Sequence, residues 1–111
     1  MREAVQAAQD RKAQDLRVLD LEGVCSFTSY FLICSGTSSR HAQAICDAIR
    51  EKLEKGGTNP THVEGYARAE WILIDYLNFV VHVFTERARE FYDLERLWKN
   101  APRVQVANDE S

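Results

Sequence analysis

Residues 71 to 84 read WILIDYLNFVVHVF, two apolar runs separated only by Leu77-Asn78. Runs this rich in branched and aromatic residues form strands. A link this short between them implies an antiparallel hairpin. The first run alternates Trp71, Leu73 and Asp75 against Ile72, Ile74 and Tyr76. If the isoleucines face the core, the other side shows an aromatic, an aliphatic and a carboxylate. Each run also holds one ionisable side chain, Asp75 or His82. Such a pair can be catalytic, metal-binding, part of a binding surface, or buried and satisfied.

The rest of the chain arranges itself around this hairpin. Residues 2–13 are Ala-rich and predict a helix with Ala4, Val5 and Ala8 on one side. LRVLDL (16–21) predicts a short strand, and residues 23–26 a loop. YFLICS (30–35) is continuously apolar and suits a strand covered on both faces. GTSS (36–39) ends it. A helix follows, capped by Ser38 or Ser39, with Ala42, Ile45, Cys46, Ile49 and Leu53 at helical spacing. Glu51 and Lys55 form an i,i+4 pair, and Gly56-Gly57 stops the helix. THVEG is a weak strand. From Thr85, Phe91, Leu94, Leu97 and Trp98 mark a helical stripe running to about residue 99. Arg89–Asp93 and Glu95–Lys99 are spaced for surface pairs. The order is α-β-β-α-β-β-β-α. It predicts an α/β domain over residues 1–101, with a mixed sheet of about five strands and flanking helices, and a flexible tail over 102–111. The strand–helix–strand unit at 30–64 makes a right-handed crossover if its strands are parallel.

A chain of 111 residues is one domain with enough surface to bury for a core without staples. No apolar run reaches the ~20 residues of a bilayer span. The N-terminal MREAVQAAQDRKAQ lacks a signal-peptide core, so a cytoplasmic location is expected. Cys25, Cys34 and Cys46 have no CxxC spacing and read as reduced thiols, the latter two as small core residues. The net charge is −3, and no Lys/Arg run exceeds Arg11-Lys12. That balance disfavours DNA or RNA as the main partner and suits a basic protein.

Catalytic signals are sparse. CSGTSSR (34–40) joins a strand to a helix through Gly and small hydroxyls, a place where phosphate can bind. Nucleotidyl transfer there also needs two or three carboxylates converging on a metal. The chain offers Asp47 on the long helix and Glu64, while Asp20/Glu22 precede the turn and Asp93/Glu95 point apart on a helix. The turn therefore reads first as a tight capped turn. His41, His62 and His82 lack metal-ligand spacing. No catalytic residue, metal or cofactor is expected. A surface of Trp71, Leu73 and Asp75 instead has the make-up of a protein-contact hot spot, unless a helix covers it.

ICSGTSSRHAQAI (33–45), Glu64-Gly65 followed by EWILIDY (70–76), VVHVF (80–84) and REFYDLERLW (89–98) occur in that order. Together they resemble the ribosomal silencing factor family, also called Iojap or YbeB. The resemblance implies a nucleotidyltransferase-like α/β fold without a catalytic site. It implies a translation repressor that binds large-subunit ribosomal protein uL-fourteen (large-subunit protein fourteen) on the intersubunit face. There it would block small-subunit joining, with a link to large-subunit biogenesis. Homodimers are also implied. Trp71, Asp75, Tyr76 and His82 lie in the best-matched block, and Leu73 shares the Trp71 face. Two positions depart from the family: Thr28-Ser29 replaces Thr-Asp, and Leu77-Asn78 replaces Gly-Asp. A type I′ turn needs positive φ at both central residues, which Leu resists. Either the turn is wider or Leu77 is there for contact. The expected partner-binding set is Trp71, Leu73, Asp75, Tyr76, Leu77 and His82.

Overall fold

The computed structural model describes residues 1–104. Helix α1 spans Arg2–Asp10 and buries Ala4, Ala7 and Ala8. It stops short of residue 13 because Lys12 takes a positive φ of 62°. Strand β1 (Gln14–Asp20) is irregular at its start, where Asp15 also has positive φ. Strand β2 (Tyr30–Gly36) is buried along nearly its whole length, as its uninterrupted apolar run demands. Helix α2 (Ser39–Lys55) follows, and the Ser38 side chain accepts the His41 N–H as its cap. Its buried stripe is Ala42, Ile45, Cys46, Ile49 and Leu53. Lys55 and Glu51 pair at 3.5 Å.

Strand β3 (His62–Glu64) is short. Strands β4 (Trp71–Asp75) and β5 (Phe79–Thr85) form the antiparallel hairpin expected. The final helix is split. Helix α3 (Glu86–Tyr92) ends where Asp93 adopts a left-handed conformation, and α4 (Leu94–Leu97) starts directly after it. The expected stripe is broken by that one residue. Phe91 and Leu97 are 78% and 76% exposed, while Leu94 and Trp98 pack inward. The pairing also changes. Arg89 reaches Glu95 at 3.0 Å rather than Asp93.

The sheet order is β3-β4-β5-β2-β1-β6, six strands rather than about five. The extra strand, β6 (Arg103–Val104), pairs antiparallel with β1 inside the segment expected to be a tail. The remainder of that expected tail, residues 105–111, lies outside the described residues. The centre is a parallel seam, Tyr30↔Phe79 through Gly36↔Thr85. The unit after β2 does not place β3 beside it; β3 pairs with β4 at the far edge. One face of the sheet packs Leu32, Cys34, Ile72, Ile74, Val81 and Val83 against α1 and α2. The other packs Phe31, Ile33, Val80 and Phe84 under the α3–α4 segment. Cys34 and Cys46 are free and buried, and burial pushes their thiols up to about 12 and about 11. Thiolates there are suppressed at neutral pH.

Candidate functional site

The cross-strand register fixes what β4 shows. Ile72 and Ile74 are fully buried on the α1/α2 side. Trp71, Leu73 and Asp75 share the opposite side and are half-buried. Trp71 stacks on Phe84 at 5.0 Å and lies against Tyr92 at 4.9 Å. The α3–α4 segment thus covers this face only in part. On β3, Glu64 stands opposite Leu73 and His62 opposite Asp75. Both are exposed and pair with each other. The result is a half-open apolar strip with carboxylates along its edge.

Tyr76 continues the core side. It is buried, stacks on Phe79 at 5.0 Å, and burial pushes its phenol up to about 12. His82 lies under the strip at 3% exposure, and burial lowers its pKa to about 3. Its ring therefore stays neutral. Trp71 Nε1 donates to His82 Nδ1 at 3.1 Å, which leaves the proton on Nε2. Nε2 has no polar partner. The Phe31 ring stands edge-on 4.4 Å away. Of the six residues singled out, Trp71, Leu73 and Asp75 share one surface. Leu77 projects from its end, His82 sits beneath it, and Tyr76 belongs to the opposite face.

Leu77 resolves the hairpin link in an unusual way. Its φ is +72°, and it is 61% exposed. Asn78 N–H donates to Tyr76 O at 2.9 Å, closing a three-residue turn centred on Leu77. Tyr76 N–H also bonds Phe79 O at 2.9 Å, and Asp75 Oδ1 accepts the Leu77 N–H at 2.8 Å. A non-glycine residue held at positive φ carries about 1–2 kcal/mol of strain. The side chain stays mostly in solvent, so its own burial offsets little of that strain.

Two glycines support the site from behind. A Cβ on Gly65, whose φ is +78°, would fall 2.1 Å from Trp71 O. The Glu64-Gly65 pair therefore lets the backbone reach the start of β4. A Cβ on Gly36 would meet Ala42 N at 2.8 Å, so the turn into α2 is closed by packing. Two of the amides there are engaged: Thr37 N–H bonds His41 Nδ1 at 2.9 Å, and Ser38 Oγ takes the His41 N–H. His41 Nε2 donates to Arg11 O at 2.7 Å, tying the turn to the end of α1. Asp47 is held by Tyr66 and Glu64 by His62. Among the described residues no three His, Cys, Asp or Glu side chains gather to hold a metal ion. No helix among them is long and apolar enough to cross a membrane.

Sequence spacing missed one half-buried ionic group. Arg89 Nε and Nη2 grip Glu95 at 3.0 and 3.1 Å, and its Nη1 donates to the buried Ser35 at 2.9 Å. Arg17 lies 3.6 Å from the same carboxylate. Arg17 and Ser35 are far from Arg89 in sequence, and the left-handed Asp93 between Arg89 and Glu95 leaves no periodic signal.

These features define a small mixed-sheet α/β domain with helices on both faces and a partly open apolar strip on one. The profile of the family described as "Ribosomal silencing factor during starvation" matches residues 1–111. The chain is 40% identical over 99 residues to the ribosomal silencing factor RsfS of Bacillus subtilis (strain 168), covering 89% of this chain and 84% of that protein. A crystal structure of a Bacillus halodurans protein superposes with a TM-score of 0.84 at 38% identity, covering 94% of each chain. A mouse relative, "Mitochondrial assembly of ribosomal large subunit protein 1", is 31% identical over 97 residues, covering 85% of this chain and 42% of that protein. The chain belongs to the ribosomal silencing factor family.

Proposed function

We propose that the protein binds the large ribosomal subunit through the basic ribosomal protein uL-fourteen on the intersubunit face. Occupying that site blocks small-subunit joining and damps translation in the bacterial cytoplasm. Family membership supports this reading, as does the tie to the large subunit in the mouse relative's name. The observation that carries it is Leu77, exposed and strained at the corner of the Trp71, Leu73 and Asp75 strip. Backbone strain at an exposed residue is a feature of functional sites. Trp71 and Leu73 offer apolar area, and Asp75 and Glu64 suit a basic partner. His82 and Tyr76 act from below by fixing the strand. In the same reading, the chain also forms a homodimer, as the family resemblance implies.

Occlusion needs only affinity and bulk, and a standard interface takes ~800 Å² per partner. The test is co-sedimentation with purified large subunits, followed by a subunit-joining assay. The parent should sediment and inhibit joining. Trp71→Ala should weaken binding by about 2 kcal/mol or more, as for a central aromatic anchor. Because Trp71 also packs, Leu77→Gly gives a second variant that folds. Unimpaired joining with the parent would overturn the reading.

A further inference from the structure

The sheet face that carries Trp71 changes character toward its other edge. Between β1, β6 and the α3–α4 corner lies a cleft of about 380 Å³ lined by Arg17, Arg89, Arg96, Lys99 and Arg103. Five of the chain's fourteen Lys and Arg gather there, although its net charge is −3. Asp15, Asp93 and Glu95 share the lining. The β6 register sets Arg103 opposite Leu19, on the same face as Arg17 two residues earlier.

The five cations are not equivalent. Arg89 and Arg17 pair with Glu95, which is part of the cleft lining. Arg89 above all, then Arg17 and Arg103, hold the Glu95 carboxyl below its ordinary pKa. Glu95 is therefore already spoken for. Arg96, Lys99 and Arg103 are exposed, and among the described residues no carboxylate stands within ion-pair distance of them. Five cations against three carboxylates leave the lining with an excess of two positive charges, carried at its rim by Arg96, Lys99 and Arg103.

The net charge of a domain is a poor guide to such a place. At physiological salt, charges beyond about 8 Å are largely screened, so a ligand senses the local group. Strand β1 lies three strands from β4, about 15 Å at ordinary sheet spacing. The acidic strip and the basic cleft are therefore electrostatically separate. A basic ribosomal protein sits among the phosphates it neutralises. A module that covers such a protein meets phosphate at its own margin, where uncompensated carboxylates would repel and guanidinium forks would bind.

We propose that the Arg96/Lys99/Arg103 cleft seats the phosphate backbone of large-subunit ribosomal RNA, as a second contact beside the apolar strip. This rests on the large-subunit reading above. The experiment measures affinity for purified large subunits at several salt concentrations, with ultraviolet crosslinking. It compares the parent, the combined variant Arg96→Gln, Lys99→Gln and Arg103→Gln, and Leu77→Gly. These side chains are exposed, and Arg17, Arg89 and Glu95 stay intact. The combined variant should bind roughly tenfold more weakly at low salt, and its slope of log affinity against log salt should be shallower by about 2. It should also lose the crosslink to ribosomal RNA. Leu77→Gly should weaken binding with the parent's slope. Unchanged affinity and slope in the combined variant would overturn the cleft assignment alone. A crosslink from the parent's cleft only to an acidic ribosomal protein would overturn the choice of RNA. Failure of the parent to bind large subunits would overturn the large-subunit reading and this inference with it.

Discussion

Trp71 Nε1 donates to the buried His82 Nδ1 at 3.1 Å, so an exposed-face aromatic fixes the tautomer of a core imidazole. The bond explains why neither residue can be judged alone. Trp71 is a surface group with a buried duty, and His82 is a core group that aims the surface.

The first prediction follows from the neutral state of His82. Burial lowers its pKa from 6.5 to about 3. Below pH 6.5 the unfolded chain takes up a proton that the folded chain refuses, so stability falls as pH falls and levels off near pH 3. The loss should be about 1.5 kcal/mol between pH 6.5 and pH 5. Urea denaturation at several pH values checks it. His82→Gln should flatten that part of the profile, and an unchanged profile would refute the assignment.

Leu77→Gly should separate stability from binding. Glycine relieves the positive φ, and the turn should gain about 1 kcal/mol in denaturant titrations. Large-subunit binding should weaken at the same time. A variant no more stable than the parent would mean that the backbone is unstrained.

Gly65→Ala should be damaging although the side chain is only a methyl. It would meet Trp71 O at 2.1 Å on a residue with positive φ. A loss of at least about 2 kcal/mol is expected, read as a drop in thermal midpoint. The shift of β4 should also disturb Trp71 fluorescence.

Arg89→Met should cost about 2 kcal/mol by removing the charged hydrogen bonds to Glu95 and the bond to Ser35, with Arg17 still near Glu95. Glu95 is held below its ordinary value of 4.5, first by its hydrogen bonds to Arg89. Its contribution is therefore present above pH 4.5 and disappears on acidification through the lowered value. Comparing parent and variant below pH 4.5 should show their stabilities converging.

The hairpin, β2 and α2 were legible because each carries its own periodicity and end signals. Ser38 caps α2, and the alternation along β4 correctly divides Ile72 and Ile74 from Trp71 and Leu73. Three features were not legible. Asp93 breaks the last helix by a single backbone rotation that any helical pattern conceals. Strand β6 owes its place to pairing with β1, not to two residues' own preference. The basic cleft assembles Arg17, Arg89, Arg96, Lys99 and Arg103 from separate elements, so no run of charge announces it. Leu77 was legible as an anomaly, and its backbone angle shows what kind.

The parallel seam between β2 and β5 bears on the order of folding. Tyr30↔Phe79 closes a stretch of about 50 residues, whereas the β4–β5 hairpin closes across two. Local pairing forms in microseconds, and the long closure must wait for it. Substitutions in the hairpin should therefore act mainly on the refolding limb of a chevron plot, and those along the seam mainly on the unfolding limb. Leu77, at the tip of the early-forming ribbon, then slows the chain's route to the native state, and Leu77→Gly should fold faster than the parent while unfolding at nearly the same rate.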